Sequence, residues 1–363
     1  WVTGVLTCAL PISGQGLGAE ADGEKPVLQS VLTYRILLPD GTDAHTVLPK
    51  LRELEDEDPM LRIVWEEASG ELHAELMGEV QLEILQRLIS DRFGLSVTFG
   101  EGGIVYKETI ANTVEGVGHF EPLRHYAEVH LLLEPAPRGS GVQLASACPT
   151  DELDLNWQRL ILTHLAERAH PGVLTGSALT DVKMTLLAGR AHLKHTEGGD
   201  FREATCRAIR NALMQAENVL LEPVVRFELA MPSGALARVT GELLRIGAQL
   251  DASETDGEET TLTGACTAAM FWDYPTKFAA STRDHGRIAS WFYRYEPCKN
   301  QAEVVQKLGY DALADVQNPP GSVFCSHGAG FYVAWDHVRD WAHCEAEVGE
   351  GDGGALPQTP AGN

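Results

Sequence analysis

The sequence predicts an α+β protein in which two βαββαβ units, the ferredoxin-like pattern, flank a middle block with a different order of elements. Apolar residues at helical spacing alternate with short apolar runs of strand length, and the same order of six elements occurs twice. A turn signal, Ser69-Gly70 in the first copy and Asp256-Gly257 in the second, follows the second strand of each. Because this fold occurs in many functional classes, it predicts no function by itself.

The first copy occupies residues 27–99, and its second helix carries the clearest pattern. The apolar stripe of this helix consists of Val80, Ile84, Leu85, Leu88 and Ile89. Gly94 follows the helix, where a glycine in the left-handed conformation is expected to end it. The predicted elements are strands 31–38, 61–65, 72–76 and 95–99 and helices 44–55 and 79–93.

The middle block, residues 100–221, ends in a strand, an exposed loop and a helix. Its predicted elements are strands 104–110, 127–134, 142–145 and 179–187, a helix over 152–169 and a last helix with Asp200 as its N-cap. Gly189 is expected to end the last strand. The loop after it carries Arg190, His192, Lys194 and His195. A cationic loop on a rigid frame could meet a nucleic-acid backbone, and a solvated surface turn is the alternative.

The second copy occupies residues 222–297. The predicted elements are strands 224–229, 249–253, 260–264 and 288–293 and helices 235–246 and 270–281. A polar and basic turn before the last strand contains Arg283, His285 and Arg287. An ordinary surface turn explains each of these three residues equally well.

Composition and charge exclude several classes of protein. The 363 residues carry a formal net charge of −24, which argues against a general nucleic-acid binder with a basic surface, so any RNA contact must be local. No apolar run approaches the roughly 18 residues that a membrane helix needs. The seven cysteines are scattered singly, which is typical of reduced thiols rather than of a disulfide framework. We therefore expect a cytoplasmic monomer with no membrane partner.

The sequence shows no signature of an enzyme or of a metal site. It has no GxxxxGK[ST] phosphate loop, and the Gly-rich segment 321–331 predicts a hairpin. Cys325 and His327 could be two metal ligands, but zinc ligands usually have tighter paired spacing. His164 lies on the apolar stripe of the long helix and is expected to be a hydrogen-bonded core histidine. We therefore expect no catalytic residue, no metal and no cofactor in this chain.

The ends of the chain carry other signals. Residues 1–13 resemble the translation of a sequencing-library adapter, so we expect an assembly artefact fused to a truncated gene of metagenomic origin. Residues 14–26 are expected to be a linker and 298–345 an extension. The last segment, 346–363, is expected to be a disordered tail because Gly, Glu, Pro and small residues dominate it.

Five segments carry a resemblance to a known family. They are GVLTGSALTDVKMTLLAG (172–189), LEPAPRGSG (133–141), LMGEVQLEIL (76–85), VYKETI (105–110) and MFWDYPTKFAASTRDHGRIASWFYRYEP (270–297). In that order they resemble two strands of domain IV, the domain III helix, the join into domain IV and the last part of domain V of elongation factor G. The resemblance implies domain III, a ribosomal S5-like domain IV and domain V. The linker would then be the end of domain II.

The resemblance implies that two surfaces bind the ribosome. In the family, domain IV reaches the decoding region of the small subunit, with its 16S rRNA, through a tip of two loops. By position, one loop contains Arg190, His192, Leu193, Lys194 and His195, and the other contains Pro122, Leu123, Arg124 and His125. The domain V turn with Arg283, His285 and Arg287 would face the GTPase-associated centre of 23S rRNA. The family's GTP and Mg²⁺ sites lie in an N-terminal domain, which is expected to be missing from this chain.

Both tip loops differ from those of ordinary elongation factor G. The first reads HFEPLRHYAEV instead of a Gly-rich sequence, and the second is longer and contains KHTEGGDF. These loops, and the presence of a tail beyond domain V, are similar to those of the ribosomal protection proteins that confer tetracycline resistance. The second loop lacks the proline that is characteristic of those proteins. An ordinary elongation factor G paralogue acting in translocation is an alternative, and so is a non-GTPase module of two ferredoxin-like units.

Overall fold

A computed structural model describes residues 31–39, 41–58, 61–66, 71–76 and 79–344. The chain forms two compact units. Of the described residues, one unit contains those from 31 to 106 together with 222–296, and the other contains 107–221 together with 297–344. The predicted artefact, linker and disordered tail, and the Ser69-Gly70 turn, lie outside the described residues.

The first ferredoxin-like copy has the predicted order of elements. They are β1 (Leu32–Leu37), α1 (Ala44–Glu57), β2 (Arg62–Glu66), β3 (Glu71–Leu76), α2 (Glu79–Phe93) and β4 (Thr98–Ile104). The antiparallel sheet has the order β2-β3-β1-β4, which is that of a ferredoxin-like unit, so the prediction is confirmed. Leu51, Leu72 and Ile89 are fully buried in its core. Gly94 has a φ of +63°, and its N–H donates to the Ser90 carbonyl at 3.0 Å, as expected for a glycine that ends a helix.

The middle block is built around one mixed sheet. Its elements are β5 (Lys107–Ile110), β6 (Val114–Phe120), β7 (Ala127–Pro135), β8 (Val142–Ser146), α3 (Leu155–Ala166), β9 (Ala178–Leu179), β10 (Val182–Ala191) and α4 (Gly198–Gln215). Strand β10 pairs antiparallel with β7 and parallel with β8. Helix α4 packs on β6 and β7. His164 is buried and its Nδ1 lies 3.2 Å from Glu167 Oε1, which confirms the predicted core histidine.

Strand β6 was not predicted, because its sequence, VEGVGHF, contains two glycines and reads as a loop. The glycines are required by the helix that packs on the strand. A Cβ on Gly116 would lie 2.0 Å from the Ala208 carbonyl oxygen, and one on Gly118 would lie 1.9 Å from that of Ala204. The backbone of β6 and that of α4 therefore approach closely, and only glycine leaves room for this.

Two boundaries near the basic loop differ from the prediction. Strand β10 continues through Gly189 to Ala191, so Arg190 lies in the strand and not in the loop. Gly189 has no left-handed φ; its missing side chain leaves room for Leu153, whose Cδ2 would lie 2.8 Å from an added Cβ. Helix α4 begins at Gly198, with Glu197 as its N-cap. Asp200 is not the cap but accepts the Glu197 N–H at 2.8 Å from inside the first turn, as in a capping box.

The second ferredoxin-like copy follows. Its elements are β11 (Asn218–Pro232), α5 (Leu236–Arg245), β12 (Gln249–Asp256), β13 (Glu259–Thr267), α6 (Ala268–Phe271), α7 (Tyr274–Thr282) and β14 (Arg287–Pro297). Strand β11 lies between β13 and β14, and β12 lies beyond β13, which repeats the ferredoxin-like order. The prediction of a single helix over 270–281 is wrong, because this segment contains two helices. The segment is divided into α6 and α7, because Pro275 in the first turn of α7 has no N–H with which to continue an earlier helix.

The C-terminal segment adds four elements to the second unit. They are α8 (Gln301–Leu308), β15 (Ser322–Ser326), β16 (Ala329–Val333) and α9 (Val338–Trp341). Strands β15 and β16 form the predicted hairpin, with His327 and Gly328 at positive φ in its turn. Strand β15 pairs with β6, so the sheet of the middle block has the order β16-β15-β6-β7-β10-β8. No helix among the described residues is long and apolar enough to span a membrane.

Candidate functional site

Two loops of the middle block lie at the same end of its sheet. The first loop, residues 121–126, connects β6 to β7, and the second loop, residues 192–197, connects β10 to α4. Strands β7 and β10 pair antiparallel with Ala127 opposite Ala191, so the start of β7 and the end of β10 are adjacent. We call these two loops the tip. The structure thus brings together the two loops that the sequence predicted to form one site.

Two side-chain hydrogen bonds hold the tip loops together. The Thr196 hydroxyl donates to the Tyr126 carbonyl oxygen at 2.6 Å. His125 Nδ1 lies 2.8 Å from Oδ1 of Asp200, in the first turn of α4. Asp200 is 3% exposed, so this second link is anchored in the body of the domain. The two loops therefore form a single connected surface.

The first loop is a tight turn that exposes its central residues. The His125 N–H donates to the Pro122 carbonyl oxygen at 2.9 Å, which closes the turn. Arg124 has a φ of +67°, a conformation that costs energy for a residue with a side chain. Leu123 is 62% exposed and Arg124 is exposed as well. The loop therefore presents an apolar group beside a cation.

The second loop folds back on itself. The N–H groups of His195 and Thr196 both donate to the His192 carbonyl oxygen, at 3.1 and 3.0 Å, and the His192 N–H donates to the Thr196 hydroxyl at 2.7 Å. The His192 and His195 rings stack with their centroids 4.6 Å apart. Leu193 is fully exposed between them, and Lys194 is exposed next to it. An exposed leucine at a loop apex is typical of a contact surface.

The cations of the tip are available to a partner. In the part of the chain that the structure describes, no carboxylate lies within ion-pair distance of Arg124, Arg190 or Lys194. Arg190 lies at the end of β10, where its Nη1 donates to the His343 carbonyl oxygen at 3.4 Å. It is therefore at the base of the tip rather than in the loop that the sequence predicted. Cations can contact phosphates, and exposed imidazole rings can stack on unpaired bases.

A buried polar network lies behind the tip and was not found by sequence reasoning. Its centre is Glu128 of β7, which is fully buried. One carboxylate oxygen lies 2.6 Å from His119 Nδ1 and the other lies 3.1 Å from His130 Nε2. The backbone N–H groups of His343 and Cys344 donate to the same carboxylate at 3.0 and 2.7 Å. The network therefore attaches the C-terminal segment to the sheet below the tip.

Charge pairing dominates the titration of this network. Burial alone would raise the pKa of the Glu128 carboxyl, but hydrogen bonds from His119, His130 and the His343 amide hold its pKa far below the usual range. Burial alone would lower the pKa of His130, but its hydrogen bonds with Glu115 and Glu128 raise that pKa to about 9. The only sequence signal was the alternation of Glu and His in EVH of β7. The partners His119 and Glu115 lie on β6, a strand that was not predicted, and His343 and Cys344 lie far away in the chain.

Comparison with protein families assigns the three blocks. The model of elongation factor G domain III matches residues 27–101, that of domain IV matches 102–217, and that of the elongation factor G C-terminus matches 219–305. The three matches follow one another in domain order. The chain belongs to the elongation factor G family.

Curated members of the family include both resistance proteins and elongation factors. Tetracycline resistance protein TetP of Clostridium perfringens is 32% identical over 263 residues, which are 72% of this chain and 40% of TetP. Elongation factor G 2 of Syntrophus aciditrophicus is 25% identical over 288 residues, 76% of this chain and 42% of that protein. Elongation factor G 1 of Geobacter sulfurreducens is 28% identical over 276 residues, 74% of this chain and 40% of that protein. The chain thus spans about two fifths of the length of these relatives.

A solved structure supports the fold. A crystal structure of a protein from Thermus thermophilus superposes with a TM-score of 0.60 over 81% of this chain and 45% of that one, at 24% identity. At this identity the likeness concerns the fold alone.

The other predicted surface lies in the part that matches the elongation factor G C-terminus. Arg283 ends α7 in the left-handed conformation, with a φ of 52°, and Asp284 follows at 60°. Arg283, His285 and Arg287 are all exposed. Arg287 forms an ion pair of 2.7 Å with Glu259, both side chains being largely exposed. Its charge is therefore less available to a partner than the charges of the tip.

Proposed function

We propose that this chain is the ribosome-binding part of an elongation factor G-like translational GTPase of the ribosomal protection type. The tip would act at the decoding region of the small subunit. The observation that carries the proposal is the tip itself, because two connected loops expose Arg124, Lys194, Leu123 and Leu193 without a carboxylate to neutralise the cations. Membership of the elongation factor G family and the 32% identity to TetP support the same proposal.

In this proposal the partners are rRNA surfaces. Arg124 and Lys194 would contact phosphates, while His192 and His195 would stack on unpaired bases of 16S rRNA. The turn at Arg283 would face the GTPase-associated centre of 23S rRNA. GTP and Mg²⁺ would bind in a domain that precedes residue 27 in a longer parent protein. The chain would act as a monomer in the cytoplasm.

A second candidate is translocation by an elongation factor G paralogue, which the 25% and 28% identities to elongation factors G favour. The deciding experiment uses the gene product that includes this chain and its upstream reading frame. GTP-dependent release of radiolabelled tetracycline from bacterial ribosomes supports the protection type. Unchanged drug retention, with stimulated movement of tRNA, assigns translocation instead. An upstream frame without a phosphate loop and a β-barrel would favour the non-GTPase module and contradict both.

A further inference from the structure

The buried network behind the tip has the donor set of a metal site. Two strands supply His119 and Glu128 as directly opposed partners in the sheet, and His130 follows on the same face. The C-terminal segment supplies His343 and Cys344. Ligand atoms of His119, Glu128 and His343 all lie within 4.8 Å of one another, and so do those of Glu128, His130 and Cys344. One carboxylate is shared by both groups of three.

The histidines of the sheet are oriented as metal-bound histidines usually are. His119 turns one ring nitrogen towards Glu128, and its other nitrogen lies 3.1 Å from a carboxylate oxygen of Glu121. His130 does the same, with Nε2 towards Glu128 and Nδ1 2.8 Å from Glu115. A carboxylate on the far nitrogen fixes the ring and increases the basicity of the near nitrogen, which is the common outer shell of zinc-bound imidazoles.

The electrostatics of the cluster also favour a cation. Glu115, Glu121 and Glu128 all face these two rings. Arg339 pairs with this group through Glu115, at 3.3 Å. A divalent ion would supply positive charge at the centre of the group, between the histidines and the shared carboxylate.

We propose that Glu128 and His130 of the sheet, with Cys344 of the C-terminal segment, bind one divalent ion of the zinc class. Imidazole nitrogen, carboxylate oxygen and thiolate sulfur are the ligands that zinc takes in proteins. His119, Glu128 and His130 are at most 1% exposed, whereas the His343 side chain is 40% exposed, so the ion enters from the side of the C-terminal segment. On binding, Cys344 releases its thiol proton and His130 releases the ring proton that faces Glu128, both to solvent.

The ion would clamp the C-terminal segment beneath the tip. Tyr126 lies in the first loop, and its hydroxyl is 2.9 Å from His343 Nδ1, with the two rings stacked 5.7 Å apart. The Tyr126 carbonyl oxygen in turn accepts the Thr196 hydroxyl of the second loop. Metal binding would therefore stabilise the base of both loops. The site itself stands independently of the proposed function, because its evidence is the donor geometry.

The test is metal binding by the full chain. Equilibrium dialysis against Zn²⁺ should load about one equivalent, and Co²⁺ should give the intense visible bands of a tetrahedral site with a thiolate charge-transfer band. Cys344→Ser should abolish the charge-transfer band and weaken binding by roughly tenfold or more, whereas His343→Ala, which lies outside this group of three, should keep the band. The matched controls are Cys325→Ser and His327→Ala in the β15–β16 hairpin, which should bind like the wild type.

Circular dichroism shows whether each variant is folded, and the two C-terminal positions are chosen because they lie at the accessible side of the cluster. The proposal would be overturned if the wild type binds no Zn²⁺, or if a folded Cys344→Ser variant binds Zn²⁺ as the wild type does. The cluster would then be an ion-pair network that only attaches the C-terminal segment. Ribosome binding by the wild type is measured separately, so failure of the metal site and failure of the proposed function are distinguishable.

Discussion

Thr196 donates its hydroxyl to the backbone carbonyl of Tyr126 at 2.6 Å and joins the two loops of the tip. The hydroxyl oxygen of Thr196 also accepts the His192 N–H at 2.7 Å, so one side chain organises both loops. Thr196→Val keeps the shape and removes both bonds. It should destabilise the chain by about 1–3 kcal/mol and weaken ribosome binding, because a carbonyl and an N–H lose their partners.

Urea unfolding and co-sedimentation with bacterial ribosomes measure these two effects of Thr196→Val. Thr196→Ser, which keeps the hydroxyl, is the control and should behave like the wild type. If Thr196→Val binds ribosomes as tightly as the wild type and Thr196→Ser do, the hydrogen bonds between the loops do not shape the binding surface.

Gly94 ends α2 at a φ of +63°, and no atom would touch a Cβ there. Gly94→Val should therefore destabilise the first ferredoxin-like copy by about 1 kcal/mol or more through backbone strain alone. The urea midpoint measures this. Gly199→Ala is the matched control, because Gly199 has open space and no left-handed φ, and it should be neutral or slightly stabilising. Equal midpoints for the two variants would contradict the assigned helix end.

Gly118 tests the packing of α4 on β6. An added Cβ would lie 1.9 Å from the Ala204 carbonyl oxygen, and backbone cannot move aside as a flexible side chain can. Gly118→Ala should thus cost about 2 kcal/mol or more, as overpacked cores do. The same Gly199→Ala control applies. A urea midpoint for Gly118→Ala that matches the wild type would show that the helix does not lie this close to the strand.

The burial of His170 predicts that the free energy of unfolding depends on pH. It is 4% exposed, and burial lowers its pKa from 6.5, while the carbonyl of Leu165 at 3.0 Å from Nε2 acts in the opposite direction. Because the pKa is lowered, His170 stays neutral in the folded protein while the unfolded chain takes up a proton. The contribution of His170 to stability is therefore fully present above pH 6.5 and is lost as the pH falls below that value towards the folded pKa.

Removing the imidazole should reduce the acid sensitivity. Between about pH 7 and about pH 5, the urea midpoint of His170→Gln should fall less steeply than that of the wild type. His285→Gln, at an exposed position, should leave the slope unchanged. If the urea midpoint of His170→Gln falls with pH as steeply as that of the wild type, His170 takes up a proton as readily in the folded protein as in the unfolded chain.

Local sequence patterns predicted much of the fold. Helix α2 has the predicted bounds and ends at Gly94, because that signal is local. Its predicted apolar stripe is only partly correct: Leu85 and Ile89 are buried, whereas Ile84 and Leu88 are 55% and 41% exposed. Strand β6 was missed because its glycines serve a helix about ninety residues further along the chain. The pairing of β15 with β6, and the contacts of Glu128 with His343 and Cys344, join residues roughly two hundred positions apart. No spacing rule could reveal these contacts.

The tip was predicted in outline and corrected in detail. Resemblance placed both loops at one end of the domain, and the hydrogen bonds of Thr196 and Asp200 agree with that arrangement. The sequence places Arg190 in the loop because a glycine commonly ends a strand, but Gly189 pairs within β10, opposite Val129. Arg207 and Arg210, on α4 beyond the tip, are 8% and 2% exposed, so they are not part of the cationic surface of the tip.

The central claim, that the tip binds rRNA, is tested most directly by the salt dependence of ribosome binding. Arg124→Ala with Lys194→Ala removes one exposed cation from each loop. This pair should weaken binding and reduce the slope of log affinity against log salt by about two phosphate contacts, without changing the urea midpoint. Arg159→Ala with Lys307→Ala, exposed on α3 and α8, is the control and should bind like the wild type. If both pairs bind like the wild type, or both weaken binding equally, the tip is a solvated surface and the claim is contradicted.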